Sequence, residues 1–422
     1  MKTERRARTV TVELEPRETE WEIEPGHVIR GFGYNGKVPG PVIEAEVGDT
    51  LVVKLTNSLP EPTTIHWHGL RVPAEMDGTE MVQHPIEPGA MFEYRFVLPD
   101  AATLWYHPHV NETEQMEKGL SGALIVRDPA DPRFDGERVL VLDDLKLDAK
   151  GELAPFGGRT ERHDGRRGDA FLVNGALKPE LEMQAGQIER WRIVNASSSR
   201  YVRLSLAGRR FSIVGTDGGL LTSPVTATEV LITPADRVDL AIGPFEEGEE
   251  IGVDALPYDR GMIGEEGGRY ATLRVGASAV SRADIPASLR KIVPLTTADA
   301  APTRRVRFGG SHSPREGVGW TVNDEEHYMD DPVRVGELQV WDLVNETGMD
   351  HPFHLHGFFF QVLEVDGKPP PFLSWEDTVN IPVEGRVKIA WIADDRPGSW
   401  MYHCHILEHH AAGMMGHFDV VP

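Results

Sequence analysis

The chain has 422 residues, 40% hydrophobic and 26% charged, with 43 glycines and 31 prolines, which describes a turn-rich globular protein of several domains. A net charge of -24 repels phosphate backbones and anionic membrane surfaces, so nucleic acid is excluded as a partner. A single cysteine excludes an internal disulfide, and no apolar run approaches the ~18 residues of a membrane-spanning helix.

The start, MKTERRARTVTVELE, is basic but leads into alternating, strand-like sequence instead of the apolar stretch of a secretory signal. Arg5-Arg6 resembles a twin-arginine pair only weakly. The expected compartment is the cytoplasm, or the periplasm or exterior if a leader has been removed. Three segments then share one layout: VPGPVIEAEVGDTLVVKLTN at 38–57, VNGALKPELEMQAGQIERWRIVN at 173–195, and TVNDEEHYMDDPVRVGELQVWDLVN at 321–345. In each, a glycine precedes an asparagine by nine positions: Gly48 and Asn57, Gly186 and Asn195, Gly336 and Asn345. Period-2 alternation in LVVKLTN, IERWRIVN and LQVWDLVN predicts half-buried strands, and short strands separated by Gly, Pro, Asn and Asp recur along the chain.

The predicted fold class is all-β, with three β-sandwich domains at 1–132, 133–284 and 285–422. A turn near 128–137 and a linker near 281–305 separate them. The copies differ in one respect. Nine and eleven residues after the shared Asn, the first has His66 and His68 and the third has His354 and His356, whereas the middle copy has Leu204 and Leu206. Residues two apart on a strand point the same way. A site is therefore expected where the first and third domains meet.

Ten of the 17 histidines lie in four clusters: HWHG (His66, His68), WYHPHV (His107, His109), HPFHLHG (His351, His354, His356) and HCHILEH (His403, His405, His409). Neutral imidazole is the commonest metal ligand. Structural zinc needs four ligands and often several thiolates, and catalytic zinc would use one cluster and leave the rest idle. Two histidines, a cysteine and a weak methionine make a blue-copper centre, which the chain offers as His351, Cys404, His409 and Met414. In an extended HCH tripeptide Cys404 points to one face while His403 and His405 point to the other, so the cysteine can serve one metal and its neighbours another.

The four motifs, their order and the triplicated strand pattern resemble the three-domain multicopper oxidases of the bacterial laccase type. The resemblance implies cupredoxin-like Greek-key domains and four copper ions. It assigns His351, Cys404, His409 and axial Met414 to type 1 copper, His66 and His354 to type 2, and His68, His107, His109, His356, His403 and His405 to the type 3 pair. It further implies one-electron oxidation of a donor at type 1 copper, with Cys404 and its flanking histidines carrying electrons to the cluster where dioxygen becomes water. Both halves of that cluster lie in one polypeptide, so a monomer is expected, unlike two-domain relatives that assemble as trimers. The full ligand set opposes a non-catalytic scaffold that has lost its copper ligands; a copper-storing or electron-carrying protein would fail to consume dioxygen.

Water formation also consumes protons. Asp77 matches the acidic residue that supplies them in bacterial relatives, although Asp-Gly is also an ordinary turn pair. Many relatives place a glutamate directly after the second type 1 histidine, where this chain has His410; either His410 relays protons in its place, titrating near ~6.5, or Glu408 or another group does, or proton delivery is slower. Met415 is read as a packing residue, Tyr106 and Tyr402 as neighbours of the cluster, and Asp350 either as a donor contact or as an ordinary loop aspartate. The 12 methionines are scattered, with Met76, Met81, Met91 and Met116 in the first domain. The absence of a methionine-rich insertion favours phenols or aromatic amines over Cu(I) as the donor.

Overall fold

The computed structural model describes residues 7–313 and 317–422, so Arg5-Arg6 lie outside the described residues. Strands dominate, as the alternation predicts, and form sheets in three successive sections. In the first, a three-stranded sheet (Thr9–Leu14, Thr50–Thr56, Met91–Val97) faces a four-stranded one (Ile43–Glu46, Gly122–Arg127, Ala102–His107, His66–His68). The side chains between them include Leu51, Val53, Trp67, Tyr94 and Phe96. The middle section packs a seven-stranded against a five-stranded sheet, and Leu204 and Leu206 are fully buried in its core.

In the last section a five-stranded sheet packs on a six-stranded one that contains Tyr328–Met329, Met415–Val421, Gly398–Cys404 and His351–Leu355. Trp341, Phe353, Trp391, Cys404 and Phe418 share that core. The α-helices among the described residues are short: α1 (Glu112–Glu117), α2 (Arg159–Asp164) and α3 (Leu407–Ala411). Helix α3 contacts both others. Around it a small apolar cluster gathers Trp105, Met116 and Ile125, Val141 and Val194, and Leu407, joining all three sections at one point. Among the described residues no helix is long and apolar enough to cross a membrane.

The repeated Gly and Asn have a common physical reason. Gly48, Gly186 and Gly336 turn the chain at φ of +86°, +77° and +82°, where a side chain is strained. Each Asn is buried and acts as a staple. Asn57, Asn195 and Asn345 donate from Nδ2 to a carbonyl a few residues on (Glu61, Arg200, Met349) and to one from a distant segment (Ile86, Ile232, Ile381). Their Oδ1 atoms accept the backbone N–H two residues on, at Leu59, Ser197 and Thr347. In the third copy the staple leads directly to the site, because Thr347 Oγ1 lies 2.7 Å from His351 Nε2. Asn345→Ala leaves several buried carbonyls unmet and is expected to cost about 3 kcal/mol. A urea titration of the variant that shows less than about 0.5 kcal/mol lost would contradict the staple.

Candidate metal centres

The smaller of two centres lies in the core of the last section. His351 opens one strand and Cys404 ends its neighbour, so their side chains reach the same sheet face, and α3 brings His409 over them. Cys404 Sγ is 3.5 Å from His351 Nδ1 and 3.7 Å from His409 Nδ1, and the two nitrogens are 3.2 Å apart. The far nitrogens are held: His351 Nε2 by Thr347, and His409 Nε2 at 2.9 Å from the His163 carbonyl on α2. Fixing the outer nitrogen aims the inner one. Burial lowers His351 to about 3 and His409 well below its usual value, and pushes the Cys404 thiol up. Neutral imidazoles and a thiol that ionises only against a cation are the donors a soft metal needs. Met414 is buried in the same cluster; its carbonyl accepts the Cys404 N–H at 3.1 Å and its N–H donates to His409 O at 3.0 Å.

The larger centre lies between the first and last sections. His403, on the sheet face opposite Cys404, faces His354 across the ladder, and His66 faces His107 in the first section. His66, His68, His107, His109, His354, His356, His403 and His405 are all buried. Ligand atoms converge in overlapping groups within 4.8 Å, among them His66 with His354 and His356, and His66 with His68 and His107. Nε2 of His66, His107, His109, His354 and His405, and Nδ1 of His68, are buried with no hydrogen-bond partner among the described residues. His356 Nε2 and His403 Nε2 face each other at 3.0 Å. Folded proteins rarely leave so many buried polar atoms unmet in one place. Burial keeps His68, His107, His109, His356, His403 and His405 well below their ordinary pKa, so their lone pairs are free for metal.

Two aspartates tie the halves together with the same geometry. Asp77 accepts His66 Nδ1 on its carbonyl at 2.9 Å and meets His356 Nδ1 of the opposite section with Oδ2 at 2.8 Å. Asp377 accepts His354 Nδ1 on its carbonyl at 2.9 Å and reaches across to His68 Nε2 with Oδ1 at 3.1 Å. They differ in their other partners. Burial opposes charge on Asp377, but Arg237 from the middle section clamps it and holds it well below the usual carboxylate range. Asp77 Oδ1 is buried with no hydrogen-bond partner among the described residues.

His410 stacks on His403 with centroids 4.2 Å apart, and its Nδ1 contacts Glu112 Oε1 at the start of α1. Glu112 also lies 3.7 Å from His109, and although burial opposes its charge, His410 and His109 keep it below its ordinary pKa. A buried acid thus stands beside the position where a glutamate was missing from the sequence. Glu408, the alternative, is pushed up to about 8 by burial and sits near the Arg166 backbone and the carboxylates of Glu117 and Glu161.

The remaining sequence expectations divide. Asp350 has both oxygens engaged, by Tyr258, Asn380 and the Val383 N–H, and is 4% exposed, so it is a structural aspartate rather than a donor contact. Tyr106 and Tyr402 are buried, but their hydroxyls donate to Pro41 O and Asp330 Oδ2 and not to the histidines. Asp377, Arg237 and Glu112 were not singled out from the sequence. Asp377 has a weak signal, since Asp77 and Asp377 each follow the first histidine of an HxH pair, but at unequal distances of eleven and 23 residues.

Family models described as multicopper oxidase match residues 16–131, 137–244 and 301–422. Multicopper oxidase MmcO of Mycobacterium tuberculosis is 33% identical, over 98% of this chain and 88% of its own length. The solved structure of a multicopper oxidase from Campylobacter jejuni, described as a metallo-oxidase, superposes with a TM-score of 0.89 at 31% identity, covering 98% of this chain and 92% of that one. CueO, a laccase-like multi-copper oxidase from Ochrobactrum sp. with oxidase activity towards lignin model compounds, gives 0.86 at 26% identity over 98% of this chain and 99% of that one. Similarity of this extent, joined to two buried donor sets suited to copper, leads to one conclusion: this copper-dependent oxidase, built of cupredoxin-like domains, belongs to the multicopper oxidase family.

Proposed function

We propose that the chain oxidises a donor at His351, Cys404, His409 and Met414 and reduces dioxygen to water among the eight interdomain histidines. The same reading takes the three sections as domains at 1–132, 133–284 and 285–422 and the working unit as a monomer. The supporting observation is the connection between the centres: the Cys404 thiol belongs to one, and its covalent neighbours His403 and His405 belong to the other. Copper bound in these sets supplies one-electron transfer and dioxygen reduction.

The protein's own part is positional. Thr347 and the His163 carbonyl fix the imidazoles around Cys404, and burial excludes water from the thiol. Asp77 and Asp377 each hold one ring nitrogen of two histidines, His66 and His356 for the first and His354 and His68 for the second, and leave the other nitrogen of each ring to the cluster. Asp77, with one oxygen free of hydrogen bonds and no arginine clamp, is assigned to proton delivery, and the pair of Glu112 and His410 forms a second polar lead into the cluster.

For the donor, the surroundings of His409 favour a metal ion over a phenol or aromatic amine. Its outer nitrogen is taken by α2, the Trp320 ring lies 4.1 Å from it by centroids, and both His351 and His409 are fully buried. A flat organic donor finds no imidazole edge to touch. The metallo-oxidase description of the Campylobacter jejuni relative agrees with this preference.

Cys404→Ser is expected to abolish dioxygen uptake with any donor in an oxygen-electrode assay of copper-loaded protein, and full retention would contradict the assignment. Asp77→Asn keeps the hydrogen-bond geometry but removes a proton carrier. It is expected to lower kcat about 100-fold with the type 1 absorption band intact. An unchanged kcat would remove Asp77 from proton delivery.

A further inference from the structure

The exposed edge of the six-stranded sheet carries another set of soft donors. In the parallel ladder between Tyr328–Met329 and Met415–Val421, Tyr328 pairs with Gly416 and Met329 with His417. Ladder partners share a sheet face and residues two apart return to it, so Met329, Met415 and His417 stand on one side. His327, just before the strand, joins them: its Nδ1 lies 2.9 Å from Met415 Sδ. The backbone positions thus mark out a square of two His–Met pairs, His327 with Met415 and Met329 with His417.

A thioether is a weak acceptor, so an imidazole N–H gains little from it; a soft cation between the two would gain from both. His417 Nδ1, at the rim of the same patch, is buried without a hydrogen-bond partner among the described residues. Met329 is 58% exposed, which leaves the square open to solvent. The segment around it, Asp324-Glu325-Glu326 before His327 and Asp330-Asp331 after Met329, is acidic. Arg307 pairs with Asp324 and Arg304 with Asp330, and the remaining carboxylates still favour an approaching cation.

The square is also wired to the thiol. Met415 is bonded to Met414, whose carbonyl accepts the Cys404 N–H at 3.1 Å. One peptide unit and one hydrogen bond separate the two sites.

We propose that His327, Met329, Met415 and His417 dock a cuprous ion as electron donor to the oxidase. This rests on the assignment of Cys404 to the electron-accepting centre. Each docked Cu(I) gives up one electron and leaves as Cu(II); four such electrons and four protons convert one dioxygen, the oxidant of the oxidase activity, into two waters. The methionines looked scattered because the ladder that joins them spans 88 residues of sequence.

The test uses copper-loaded holoenzyme and Ag(I), which matches Cu(I) in charge and softness but is not oxidised. Equilibrium dialysis is expected to find one bound silver per wild-type chain. Binding should weaken at least tenfold in His327→Ala/His417→Ala, and severalfold in Met329→Leu, which alters an exposed side chain and leaves the fold least disturbed. The ratio of kcat/KM for Cu(I) to kcat/KM for a phenol should fall at least tenfold in the double variant, through the KM for Cu(I). Cys404→Ser should still bind the silver. Silver binding equal in wild type and both variants overturns the docking site, as does an unchanged ratio. Wild type that binds silver at the square yet consumes no dioxygen with any donor contradicts the oxidase reading and supports the site.

Discussion

Adjacent side chains on an extended strand must point to opposite faces, and at His403-Cys404, where the Gly398–Cys404 strand ends, that constraint joins two candidate metal centres through covalent bonds, with His405 just beyond the strand. Cys404 turns into the core of the last domain, among Phe353, Met414 and Phe418. His403 turns to the opposite face, where it meets His356 and stacks on His410. A helix at this place would spread the three side chains around its axis and break the division. The flanking ladders, to His351–Leu355 on one side and Met415–Val421 on the other, keep the strand extended and supply further groups to each face.

The second requirement is that two domains be held at a fixed distance across a bed of uncharged imidazoles that have few hydrogen bonds of their own. Asp77 and Asp377 meet it by reciprocal reach, each accepting a histidine of its own domain on the main chain and one of the other domain on the side chain. The middle section carries none of the four histidine motifs, but it is not a spacer. Arg237 clamps Asp377, the His163 carbonyl orients His409, and Val141 and Val194 join the apolar cluster around Leu407. Without metal, the interface keeps at least six unmet nitrogens, so copper is expected to contribute to interdomain stability as well as to catalysis.

Much of this was legible in the sequence where the signal is local. Strand alternation, the Gly-to-Asn spacing and paired histidines two apart are short-range patterns, and they disclosed the all-β fold and the histidines that the structure gathers between the first and last sections. Asp377, Arg237 and Glu112 were not legible. Their roles arise from pairings between segments far apart, such as Arg237 with Asp377, 140 residues away. The contact of Met415 with His327 was not legible for the same reason, since it is made by a ladder and not by spacing. His410 was recognised as a departure, but the acid beside it, Glu112, lies 298 residues away and leaves no trace at that position.

The central claim is that the two buried donor sets hold four copper ions in fixed places. Anomalous scattering at the copper edge from crystals of copper-loaded protein tests it most directly. The account predicts one peak among His351 Nδ1, Cys404 Sγ and His409 Nδ1, and three among the eight interdomain histidines, with His410 outside the coordination sphere. A peak coordinated by His410, or fewer than three peaks between the first and last domains, would contradict it.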